Sequence, residues 1–129
     1  ATVSGLGLAT DAAEVYYAIV EATAFGVKAM VDTLVDNGVA LDSITAIGGI
    51  AVKSPFIVQF LADVLGMDIF VPNLTQACGL GSAINAAVAS GCWPTLIDAQ
   101  KAMCVTEGVK YTASSARDFS GRYARYRNM

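Results

Sequence analysis

The sequence predicts an α/β fold, and three observations carry that reading. Short apolar runs alternate with longer segments of helical periodicity. Helix starts and stops are punctuated by Asp, Ser, Pro and Gly at the expected positions. The chain is 55% hydrophobic and 15% charged, against usual levels of about 45–50% and about 25%, as suits strands covered by helices.

The first element is a long helix from Asp11 to Asn37. Val15, Ile19, Ala22, Ala29 and Leu34 fall near helical spacing, Thr10 or Asp11 supplies the N-cap, and Asn37-Gly38 supplies a left-handed stop. Ile44 to Ile47 follows as a buried strand that ends at Gly48-Gly49. Ser54 and Pro55 open the next helix, with serine as cap and proline in the first turn, where a missing N–H costs nothing. Its apolar face is Phe56, Phe60 and Val64 with Ile57 and Leu61, and Gly66 closes it. Asp68 to Val71 reads as a second strand. Helices are then predicted over Ala77–Ser90, Thr95–Met103 and Ser114–Arg127. In the last of these, Phe119, Tyr123 and Tyr126 form an apolar stripe, with the arginines on the wet side.

Composition excludes several function classes. The net charge of −3 gives no electrostatic footprint for nucleic acid or an anionic membrane, so neither is expected as a partner. From Ile69 to Ile97 no residue is charged, yet Pro72, Asn73, Asn85 and Pro94 break the run into pieces too short to span a bilayer. The chain has no histidine and three widely spaced cysteines, Cys78, Cys92 and Cys104. Zinc sites that need His and Ser–His or Cys–His nucleophile pairs are therefore excluded within it, and no metal site is expected. The cysteines read as small buried hydrophobes of a cytoplasmic protein, and no secretion signal is legible. Glu14 and Glu21 on the first helix read as capping or solvated charges, and Gln59 with Asp63 as a local i, i+4 contact. The excess of apolar residues predicts a face covered by another lobe or a partner and leaves self-association open.

The glycine pair is the strongest candidate for function. Between a strand and a helix, glycines allow torsions closed to other residues and remove Cβ atoms, so a flat or phosphorylated ligand can lie against the main chain. A tight turn without a ligand accounts for the same pair. No GxxxxGK[ST] is present, and neither Gly5-Leu6-Gly7 nor Gly79-Leu80-Gly81 extends to GxGxxG.

Three segments together resemble one family. In ATVSGLGLATDAAEVYYAIVEATAF, Ala1, Val3, Gly5-Leu6, Glu14-Val15 and Ala18-Ile19-Val20-Glu21 fill every constrained position of the C-terminal signature of the FGGY carbohydrate kinases. AIGGIAVKSPFIVQFLADVLGMDIFVP resembles the same family's adenosine segment, and QACGLGSAINAAVASGCWPTLIDAQKAM its following helices. The Gly91-Cys92-Trp93-Pro94 turn, the Ala99–Met103 helix and the Arg- and Tyr-rich end look most like the branch of the family that phosphorylates L-ribulose.

The resemblance implies an actin-like (ribonuclease H-like) ATPase fold in two lobes and transfer of the ATP γ-phosphoryl group to a sugar hydroxyl, with ATP and Mg²⁺ as cofactors. Residues 1–129 would be part of the C-terminal, ATP-side domain. The sugar pocket, the phosphate loop and the aspartate base would lie in a preceding domain, so no catalytic residue is expected here. Gly48 and Gly49 carry over as nucleotide contacts. Ser54, with one extra loop residue, carries over to an often-Asn position near the adenine, with Lys53 beside it. The alternatives that stay open are another pentulose or hexulose kinase of the family, such as a xylulokinase, an actin-like nucleotide-binding module without a sugar substrate, and a structural domain.

Overall fold

A computed structural model of the chain describes residues 2–128 and is α/β as predicted. Ala1, the first position of the family signature, lies outside the described residues. Two compact units are present, Asp42–Ser114 and a second built from the two ends of the chain, Ala1–Leu41 with Ser115–Met129.

The Asp42–Ser114 unit is organised by a three-stranded sheet in the order β1-β2-β3. β1 (Ile44–Thr45) is parallel to β2 (Ile69–Pro72), with Ile44 opposite Ile69. It is shorter than the predicted Ile44–Ile47, although the Ala46 N–H still donates to the Phe70 carbonyl at 2.9 Å. Parallel neighbours need a helical crossover. Here it is α2 (Gly49–Lys53) followed by α3 (Pro55–Leu65). α3 ends as predicted at Gly66, which takes the left-handed conformation at φ 67° and returns its N–H to Ala62.

The core of this unit is Ala51 from α2, Val58 and Ala62 from α3, and Ile69 and Val71 from β2. Phe60 and Val64 of α3 are also buried, as predicted, whereas Phe56 is 51% exposed. The predicted face was too narrow because α3 is apolar on most of its circumference and buries Val58 and Ala62 as well. α4 (Ala77–Ala89) and α5 (Leu96–Met103) pack on each other, and the Thr95 hydroxyl caps α5 by accepting from the Asp98 N–H.

β3 (Gly108–Tyr111) runs antiparallel to β2 and was not predicted. With one glycine, one lysine and mostly exposed residues, GVKY carries neither a buried run nor a clear alternation. Gly108 is needed there: a Cβ would strike the Val71 carbonyl oxygen and stand 2.6 Å from the Phe70 Cζ.

In the unit of the chain ends, α1 (Ala12–Asp36) begins at Asp11 with a reciprocal cap. The Asp11 carboxylate accepts from the Glu14 N–H at 2.8 Å and the Glu14 carboxylate accepts from the Asp11 N–H at 3.3 Å. Gly38 at φ 82° stops the helix. α6 covers only Ser120–Arg127, not Ser114–Arg127, because Asp118 turns its carboxylate onto the Ser120 N–H and sets the start there. The predicted aromatic stripe is present: Phe119, Tyr123 and Tyr126 surround Phe25 of α1, with ring centroids 6.4, 5.5 and 5.7 Å away.

Two readings of side chains are corrected. Cys78, Cys92 and Cys104 are all exposed, not buried, because each sits at or just past a helix end. Glu21 is not a solvated charge: its side chain is 14% exposed and its Oε1 lies 3.1 Å from the Arg122 Nε, which takes Arg122 off the wet side of α6.

Candidate functional site

The glycine pair sits where β1 ends. Gly48 has φ 100°, a conformation that a side chain makes costly, and Gly49 begins α2. A Cβ built on either would meet no atom within 4 Å, so the space beside this stretch of main chain is open.

The two glycines and the predicted helix start are separated by a helix the sequence reading missed. Gly49 opens the five-residue α2, and Ser54 is the joint between α2 and α3. The Ser54 side chain makes no capping bond, contrary to expectation; its carbonyl instead accepts from the Ile57 and Val58 N–H groups. Lys53 is exposed in the last turn of α2, where its charge suits the helix dipole. It is therefore at the end of α2 away from the glycines, roughly 6 Å along the axis.

A cleft of about 370 Å³ opens beside α2. Ala51 and Val52 of α2 line one part, and Val71, Asn73, Glu107 and Val109 line the rest. β1 and β2 are parallel and β3 is antiparallel, so Val71 to Asn73 and Glu107 to Val109 lie at the carboxyl end of β2. The glycine pair follows the carboxyl end of β1. Turn and cleft thus share the end of the sheet at which open α/β sheets take ligands. Asn73 and Glu107 were not singled out in the sequence, since their relation rests on β3, which brings the Asn73 N–H to the Glu107 carbonyl at 2.9 Å.

Other acidic groups are engaged in structure. Gln59 and Asp63 make the predicted contact at 2.8 Å, and both also hold the chain past β3: Gln59 donates to the Thr112 carbonyl and Asp63 accepts from the Ser114 N–H. Asp68 is held below the usual carboxylate range by the Lys110 ammonium 2.8 Å away and by the Ala113 N–H. Such carboxylates anchor backbone and are poor bases. Among the described residues no group of three or more His, Cys, Asp or Glu side chains could hold a metal ion, so these residues do not form a Mg²⁺ site. None of the described helices is long and apolar enough to cross a membrane.

A profile described as the C-terminal domain of the FGGY family of carbohydrate kinases matches residues 1–90. A ribulokinase of Vibrio parahaemolyticus is 42% identical over 126 residues, covering 96% of this chain and 22% of that protein. A ribulokinase of Bacillus licheniformis is 47% identical over 87 residues, covering 67% of this chain and 16% of that protein. The chain thus spans about a fifth of the length of the curated relatives it matches. The crystal structure of Plasmodium falciparum glycerol kinase with ADP superposes with a TM-score of 0.69 over 98% of this chain and 25% of that one, at 21% identity, which shows a shared fold.

Proposed function

This chain belongs to the FGGY family of carbohydrate kinases, and from that premise we propose that it is the ATP-side part of an enzyme that transfers the γ-phosphoryl group of ATP to a hydroxyl of L-ribulose. The choice of sugar is supported by the ribulokinases that align with it, one of them along 96% of its length. The observation that carries the nucleotide role is the unobstructed main chain at Gly48 and Gly49. A ligand can lie flat against that backbone where any larger residue would stand in its way.

Gly48 and Gly49 are the nucleotide contacts of this reading, and Ser54 is the third residue assigned to it. The catalytic base, the sugar contacts and the ligands of Mg²⁺ lie in a further domain of the complete protein. Tyr16, Ile19, Met30 and Leu34 are exposed and fall on one side of α1 by their spacing, a surface that such a domain would cover. Positioning and charge neutralisation supply most of the rate in phosphoryl transfer, so the contribution of this chain is to hold the nucleotide in line with the acceptor.

The test is ATP-dependent turnover of the complete protein on L-ribulose, D-xylulose and hexuloses, with Gly49→Val in parallel. L-ribulose is expected as the preferred substrate, and Gly49→Val is expected to raise the KM for ATP at least tenfold while the melting temperature holds. No turnover of any ketose would overturn the kinase reading, and preference for another ketose would overturn the choice of sugar. An unchanged KM in Gly49→Val would leave the glycine pair as a turn alone.

A further inference from the structure

The cleft beside α2 has a composition that distinguishes among the parts of a nucleotide. Val52, Val71 and Val109 contribute apolar surface, and Val52 and Val109 are unusually exposed for valine, at 39% and 56%. The lining contains one charged group, the Glu107 carboxylate, and no lysine or arginine. A phosphate would be repelled there, and a sugar ring would find too few polar partners for its hydroxyls. A flat, neutral ring with hydrogen-bonding groups on one edge suits both the valines and the two polar side chains, Asn73 and Glu107. The volume, about 370 Å³, is at the small end for ligand pockets of about 300–1,000 Å³, the size of a nucleoside rather than a whole nucleoside triphosphate.

Position agrees with composition. The α2 part of the lining begins at Ala51, two residues after Gly49, and the cleft opens at the same end of the sheet as the glycine turn. Resting on the nucleotide reading given above, we infer that this cleft receives the base of the bound nucleotide. The valines enclose its faces, and the Asn73 amide and Glu107 carboxylate read its edge. A carboxylate only accepts hydrogen bonds at neutral pH, so Glu107 selects adenine, whose exocyclic amine donates, over guanine, whose carbonyl at that position accepts. Gly108 contributes by omission: with no Cβ, β3 closes on β2 with the Phe70 ring against it, which brings Glu107 and Val109 beside Val71.

Calorimetric titration of the complete protein with ADP, GDP and inorganic tripolyphosphate tests this. Val52→Trp fills the cleft from an exposed position; it is expected to weaken ADP binding at least tenfold and to leave tripolyphosphate binding unchanged. Glu107→Gln offers a donor as well as an acceptor, and is expected to cut the preference for ADP over GDP at least fivefold without a change in melting temperature; it stands alone if Val52→Trp does not fold. ADP binding that is unaltered in both variants would overturn the assignment of the cleft and leave the glycine turn as the nucleotide contact. A wild-type protein that binds neither ADP nor GDP would overturn the nucleotide reading itself.

Discussion

The Tyr123 hydroxyl donates to the Asp32 carboxylate at 2.5 Å, joining α6 to α1 across 91 residues of sequence. Lys28, 3.2 Å from the other Asp32 oxygen and over the Tyr123 ring, completes the contact. The Tyr123 hydrogen bond, with help from Lys28, holds the Asp32 carboxyl below the usual range, while burial and the Asp32 charge push the Tyr123 phenol up.

Both shifts fix the pH window of this joint. A depressed carboxyl contributes stability above its unfolded pKa and loses it as pH falls through the folded value; a raised phenol contributes below its unfolded pKa and loses it as pH rises through the folded one. The α1–α6 contact is therefore expected to be strongest between about pH 5 and pH 9 and to weaken on both sides. Tyr123→Phe should cost about 1–2 kcal/mol at pH 7 and flatten the acid limb. Chemical denaturation at pH 3, 7 and 10 checks this, and a variant with unchanged acid sensitivity would show that the hydrogen bond is not the cause.

Gly108 and Gly49 separate two uses of the same residue. Alanine at 108 drives a methyl group into the Val71 carbonyl and the Phe70 ring, and should destabilise the chain by about 1–3 kcal/mol. Alanine at 49 meets nothing within 4 Å and should move stability by no more than about 0.5 kcal/mol. Thermal melts of the two variants read the difference directly; equal losses would contradict the geometry.

Exposure of all three cysteines predicts that the folded chain reacts with an aromatic disulfide reagent at three thiols before any denaturant is added. Two or fewer fast thiols would mean that at least one of them is covered.

The fold was legible where a local signal and its tertiary outcome agree. Asp11 and Asn37-Gly38 bound α1, and Pro55 and Gly66 bound α3, because capping and left-handed turns are decided by residues within one turn of each other. β3 escaped because a short, exposed edge strand owes its existence to a partner, β2, and not to its own pattern. Glu21 was misread for the same reason: nothing within its own helix announces Arg122. The site divides likewise. Gly48 and Gly49 stand out in the sequence, whereas Asn73 and Glu107 meet only after β3 has paired.

The unit that contains both ends of the chain sets a schedule for biosynthesis. Phe25 leaves the ribosome long before Phe119, Tyr123 and Tyr126 exist to surround it. At about 5–20 residues per second, the intervening 98 residues (123 − 25) take roughly 5–20 s. Throughout that interval α1 is a nascent helix with its aromatic contact unmade, a natural client for a holding chaperone, while Asp42–Ser114 can complete its own sheet first.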